Sequence, residues 1–474
     1  MFSGMALLRN NAELFPERRV IIDAALNSIA KTDHGSKVLR RGSRRLSRIT
    51  KLRLFRWSFL LLALFSIFLT VYELKKFLQA KIESRFTTPI DFEGERYLEE
   101  NIFLNNYGRP PKSKRRKHFP CEVGLRQSVD GLIEPKDYMN FTWVSQDYVV
   151  SEEKTSENDL FEPRFGGHAT LEEREKSFYV KNQTIHCGFV KGSPGYPSTG
   201  FDLDENDRAY MFSCKVAVSS CIFGSSDYIR RPTSKLISQY SKDNVCFVMF
   251  MDDQTLSKLS SEGNQPDERG YIGLWKIVIV QSLPYDDMRR TGKVPKFLSH
   301  RLFPNSRYSI WLDSKMRLTS DPMLIIEYFL WRMKVEYAIS NHYDRHSVWE
   351  EVLQNKRLNK YNHTKIDEQF SFYESDGLPR FEPSNHNPLP SYVPEGSFII
   401  RAHTPMSNLF SCLWFNEVNR FTSRDQLSFA YTYLKLRRMN PDKPFHLYMF
   451  KDCERRALLK LFRHRTAPSP PGTA

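Results

Sequence analysis

The chain has 474 residues, 40% hydrophobic and 14% aromatic, enough for one large domain or two modest ones with a full core. Its formal charge of +15 invites a nucleic-acid reading. Yet nine cations within residues 37–56 and six within 109–118, neither stretch holding an acid, account for the whole excess. The remainder is neutral, whereas a nucleic-acid-binding domain carries its cations on the folded face, so that class is set aside.

Residues 1–56 read as a basic cytosolic tail. Trp57 to Tyr72 is an uninterrupted apolar run without a charge. As a helix it would span ~24 Å, short of an average bilayer core but extended by Arg56, Lys75 and Lys76, whose heads can snorkel. The cations precede the run and no small-residue cleavage site follows it, so it is read as a signal anchor with the C-terminal bulk lumenal. Residues 73–120 read as a stem, ending in the extended basic stretch Arg109–Lys117. Residues 121–465 form the lumenal catalytic domain and 466–474 a disordered tail.

All seven cysteines follow the anchor, with no CxxC or finger spacing. In an oxidising lumen some should pair, and the odd number leaves at least one free; buried thiols remain an equal reading for Cys214, Cys221 and Cys246. Asn140, Asn182 and Asn362 are glycosylation sequons usable there.

From Met211 onward strands alternate with helices. Lys215–Phe223, Asn244–Met251, Trp275–Val280, Tyr308–Leu312 and Glu336–Ser340 read as strands. Pro232–Tyr240, Lys296–Phe303, Pro322–Met333 and Leu427–Leu436 read as helices, and Phe398–Arg401 is strand-like. Near-continuous apolar strands predict an α/β fold whose mostly parallel sheet is covered by helices on both faces. Ligands in such sheets sit at the carboxyl ends of the strands. That rule points to Asp252, Asp253, Asp313 and the Asn341–His346 segment.

The stretch Lys296–Lys315 (KFLSHRLFPNSRYSIWLDSK) places a basic amphipathic helix, a proline turn and a buried strand before a terminal Asp. This order resembles the metal-site region of nucleotide-sugar glycosyltransferases of the A-type fold, where Asp-x-Asp presents a divalent cation (Mn or Mg) to the donor diphosphate. Such a cation needs hard oxygen ligands. Here Lys315 stands where the second carboxylate belongs, so metal binding is in doubt and Lys315 itself is a candidate to neutralise phosphate. Asp252 and Asp253 are candidates for the nucleotide, Arg290, Lys293 and Lys296 for its phosphates. Asp425 is either a helix cap or an acceptor-side residue acting as base. A different chemistry is open at His342–His346: His342, Asp344 and His346 lie within five residues and suit a catalytic zinc that activates water.

Segments such as FGGHATLEEREKSFYVKNQTIHCGFVKGSPGYPSTGFDLDE, TGKVPKFLSHRLFP, IWLDSKMRL, EYAISNHYDRH, VPEGSFIIRAHTPMSNLFSCLWFNEV and RFTSRDQLSFAYTYLKL, within Cys121–Arg465, resemble a plant family of lumenal Golgi proteins. Its members include a mucilage-related probable hexosyltransferase and a turgor-regulation-defect protein described as a Golgi alkaline ceramidase. The short N-terminus and stem look closer to the latter. The resemblance implies a single-pass type II Golgi membrane enzyme. One alternative is a hexosyltransferase moving sugar from a nucleotide-sugar to a cell-wall polysaccharide or glycoconjugate. The other is a ceramidase hydrolysing the ceramide amide bond; a non-catalytic lumenal scaffold is the third reading.

Overall fold

The computed structural model describes residues 121–152, 164–168, 170–192, 198–382 and 387–465, all within the second of two units, Arg116–Ala474; in the first unit only Glu73 is described. The predicted anchor Trp57–Tyr72, the basic tail, the rest of the stem and residues 466–474 lie outside the described residues. Among the described residues no helix is long and apolar enough to cross a membrane.

The centre is a nine-stranded mixed sheet. Its strands are β1 (Asp202–Leu203), β2 (Val216–Ile222), β3 (Cys246–Met251), β4 (Tyr271–Ile272), β5 (Trp275–Gln281), β6 (Tyr308–Leu312), β7 (Tyr337–Asn341), β8 (Pro394–Ala402) and β9 (Leu447–Phe450). Their spatial order is β9-β7-β8-β6-β2-β3-β5-β1, with β4 paired to β5. β2 runs parallel to β3 and β6, β3 to β5, and β7 to β9. β8 is antiparallel to both β6 and β7, and β1 and β4 are antiparallel to β5. The expectation of a mostly parallel sheet is therefore corrected to a mixed one. β8 is buried on both faces, so its composition reads like that of its parallel neighbours and carries no sign of direction.

Side-chain alternation sorts every long strand into two cores. Ala217, Val248, Phe250, Trp311, Tyr337, Ile339 and Ile399 face one core. Val218, Phe247, Met249, Ile310, Leu312, Ala338, Phe398 and Ile400 face the other. The first is covered by α1 (Lys293–Phe297), α2 (Val348–Arg357), α3 (His363–Ser375), α4 (Pro405–Arg420) and α5 (Phe429–Met439). The second lies under Pro322–Trp331, whose first turn is set by Pro322 at its start and by Asp321 accepting from the Met323 amide at 2.9 Å.

Two predicted helices are broken. Lys296–Phe303 divides into α1 and a turn of helix at Ser299–Leu302, and Pro232–Tyr240 holds only a 3₁₀ turn at Ser234–Leu236 before the helix Gln239–Asn244. Three disulfides join Cys121 to Cys453, Cys187 to Cys412 and Cys214 to Cys246, leaving Cys221 free.

Two topological details shape the sheet's carboxyl edge. The chain fills positions on one side of β2 with β3 and β5, then crosses to its other side with β6. The strand order therefore reverses between β2 and β6, the position at which open α/β sheets bind their ligands. Second, the β7–β8 register jumps from Ile339↔Ile399 to Ser340↔Glu395. The residues between are pushed off β7, and the Ser397 carbonyl instead accepts from the Asp313 amide at 2.9 Å. This irregularity aims Glu395 and Gly396 at the end of β6.

Candidate active site

Asp313 follows β6 and shares a face with Trp311, whose indole donates to its Oδ1 at 3.0 Å. The ammonium groups of Lys296 and Lys315 each lie 3.9 Å from the Asp313 carboxylate. Lys296 is also 2.5 Å, and Lys293 3.1 Å, from Oδ2 of Asp425. Lys293 and Lys296 stand on α1, three residues apart, hence on one helical face. Asp425 opens a 3₁₀ turn after α4, its carbonyl held by the Trp414 indole at 2.9 Å. A side chain at Gly396 would meet this pair: a Cβ there would stand 2.9 Å from Lys296 Nζ and 3.4 Å from Asp425 Oδ2.

Within contact distance the cluster holds three ammonium groups and two carboxylates, so it favours an anion. Burial drives the Asp425 carboxyl upward, but Lys293 and Lys296 outweigh it and hold the group well below the ordinary carboxylate range. Burial likewise opposes ionisation of Asp313, and Lys296, Lys315 and Lys293 bring its pKa down overall. Lys296 loses to burial but gains more from Asp425 and Asp313, ending raised. At Lys293 burial wins and the pKa falls to about 8, with Asp425 opposing.

Behind Asp425 lies an ion triad that the sequence did not announce. Glu351 of α2 is wholly buried and takes Arg345 at 2.6 Å and Arg424 at 2.7 Å. It fixes the residue before Asp425, and no local motif marks it. A second unannounced link joins the loops after β2 and β6. Asp227, after β2, accepts from Ser314 Oγ at 2.9 Å and lies 2.8 Å from His464 Nδ1. The C-terminal strand Leu459–Leu461 pairs with Met316–Leu318, and the Phe462 amide donates to the Lys315 carbonyl at 2.9 Å.

Other predicted residues lie apart from this cluster. Asp252 binds the Gly224 amide at 3.2 Å and the Thr255 hydroxyl, tying the ends of β2 and β3 together, while Asp253 is exposed on the next helix. The Arg290 guanidinium donates to the Asn419 and Phe421 carbonyls at the end of α4. His342, Asp344 and His346 of the zinc alternative lie on the segment after β7. Nδ1 of His342 accepts from the Asp344 and Arg345 amides at 3.1 and 3.0 Å, and the His346 ring stacks on Phe381. Burial, then Arg345, lowers the His342 pKa to about 4, and among the described residues no three His, Cys, Asp or Glu are grouped to hold a metal. Asn140, Asn182 and Asn362 are exposed, each with its side-chain oxygen on a backbone amide.

Residues 146–464 match the family model of the TOD1/MUCI70 glycosyltransferase-like domain. The chain belongs to this family. It is 41% identical over 384 residues to the probable hexosyltransferase MUCI70 of Arabidopsis thaliana, covering 80% of the chain and 65% of that protein. To the alkaline ceramidase TOD1 of the same plant it is 35% identical over 277 residues, covering 56% of the chain and 57% of that protein. The chain thus spans under two thirds of either relative. Identity and coverage are both greater with MUCI70. Mouse xyloside xylosyltransferase 1 superposes with a TM-score of 0.29 at 8% identity, over 50% of the chain and 84% of that protein.

Proposed function

We propose that this is a type II Golgi hexosyltransferase of A-type fold, with its nucleotide-sugar held in the crevice between β2 and β6. The observation that carries the reading is the cluster Lys293, Lys296, Lys315, Asp313 and Asp425 at the sheet's carboxyl edge. Transfer of a sugar leaves a nucleotide diphosphate, and the departing charge needs positive groups already in place. Lys315 and Lys296 face the diphosphate in this reading, and Lys293 adds a third charge. Asp425 keeps the two α1 ammonium groups in position and lies toward the acceptor, and Asp313 orients Lys296 and Lys315.

The donor set does not fit a resident divalent cation. Asp313 offers one carboxylate with ammonium groups around it, where such a cation asks for several hard oxygens. The lysines therefore do the neutralising, and no step is routed through a metal. Three disulfides suit the oxidising lumen that this topology requires. The cell-wall polysaccharide or glycoconjugate acceptor belongs to the same reading.

The test is a donor screen on the full-length chain, reading release of nucleotide diphosphate, with ceramide hydrolysis run in parallel. Release from one nucleotide-sugar, undiminished by chelator, is expected. Ceramide hydrolysis without any donor turnover would transfer the assignment to the activity named for TOD1.

A further inference from the structure

A cavity of about 360 Å³ lies between the start of α2 and the chain following α3. Its walls are Ser347–Trp349, Phe370, Glu374, Leu378–Phe381 and Tyr392. Trp349 is 51% exposed although it stands in the first turn of α2, where the reciprocal Ser347–Glu350 cap fixes the backbone. Its ring is 5.2 Å from that of Phe370, and Phe381 fills the far side against Tyr392 at 5.0 Å. Glu374 and Arg380 are exposed, and among the described residues neither forms an ion pair. An aromatic floor with a carboxylate and a guanidinium at its rim offers a ligand both an apolar face and polar partners.

We propose that this cavity binds a pyranose unit of the acceptor glycan, a proposal that rests on the transferase reading. A pyranose ring has a face of C–H bonds and a rim of hydroxyls. The C–H face suits the electron-rich face of Trp349. The hydroxyls donate to Glu374 and accept from Arg380. A lipid chain would gain nothing from that charged rim and would have to desolvate it.

Two connections tie the cavity to the transfer site. The Tyr392 amide donates to the His346 carbonyl at 2.8 Å, and three residues later the chain reaches Glu395, at the irregularity aimed at Asp313. Three residues span at most about 10 Å. On the other side, α2 carries Trp349 toward the cavity and Glu351 toward Arg424, the neighbour of Asp425. An acceptor chain with one sugar on Trp349 thus lies within reach of the donor crevice.

Calorimetric titration of the full-length chain with β-1,4-linked hexasaccharides of glucose, xylose, mannose and galactose tests this. One of them should bind, about tenfold or more weakly in Trp349→Ala and Arg380→Ala, with partial retention in Trp349→Phe. Nucleotide-sugar binding should be the same in all variants, which also reports their folding. The proposal is overturned when no hexasaccharide binds the wild type, when Trp349→Ala binds it equally well, or when a short-chain ceramide occupies the cavity instead. Failure of the transferase reading looks different: no nucleotide-sugar binds or turns over, while the Trp349-dependent glycan binding persists.

Discussion

Lys293 is the residue whose charge state is most open to control. Its ordinary pKa is about 10.4; burial brings it to about 8, so near neutral pH it is mostly charged and above pH 8 it is not. Donor affinity should therefore fall as pH rises through about 8. Lys293→Arg, charged throughout, should abolish that alkaline limb; a limb unchanged in the arginine variant would show that Lys293 is not its source. The effect on stability has the opposite sign: between about 8 and 10.4 the unfolded chain binds more protons at this site, so its contribution to stability rises with pH. Asp425 behaves as a depressed carboxylate, its contribution fully present above about pH 3.9 and lost as pH falls toward its much lower folded value. Asp425→Asn leaves Lys293 buried without its partner and Lys296 with only Asp313 at 3.9 Å, and should cost about 3–5 kcal/mol in urea unfolding. A loss under about 1 kcal/mol would mean that water relieves the lysines. Asp313, Lys296, Lys315 and Asp425 were each legible as single residues, because strand ends and basic helices leave local signals. Their meeting was not legible, since it depends on how α1 and the turn after α4 pack over the sheet. Glu351 had no signal at all, being one acid in a charged amphipathic helix.

At the scale of elements, the apolar runs of β3, β5 and β6 predicted buried strands because both faces are covered, and the residues alternate between two cores as such strands must. Direction was hidden for the same reason: β8 pairs antiparallel with composition no different from that of a parallel strand. The reversal matters for the site. An antiparallel β8 brings its N-terminal residues, Glu395 and Gly396, to the edge where its neighbours end. The Cys187–Cys412 bridge joins the chain after the strand Gln183–Ile185 to the middle of α4, residues 225 apart in sequence. Closing so long a loop restricts the unfolded chain strongly. The double variant Cys187→Ala/Cys412→Ala should lose about 2–5 kcal/mol, and an unchanged thermal midpoint would contradict a bonded pair.

For the whole molecule, the fold class followed from the sequence because alternation of strand and helix leaves few architectures open. The order of strands did not, because it is set by long-range pairing. That order sets the switch point where the proposed crevice lies: β6 crosses to the far side of β2, and the C-terminal strand then returns to bind the loop carrying Asp313–Lys315. The account stands on this crevice receiving a nucleotide diphosphate through ammonium groups in place of a metal. Calorimetric titration of the full-length chain with UDP and GDP in the presence of chelator tests it most directly. One of the two should bind the wild type, and Lys315→Ala, whose side chain is only partly buried, should weaken that binding about tenfold without shifting the thermal midpoint. Binding that appears only when a divalent cation is supplied, or that is indifferent to Lys315, would contradict the account.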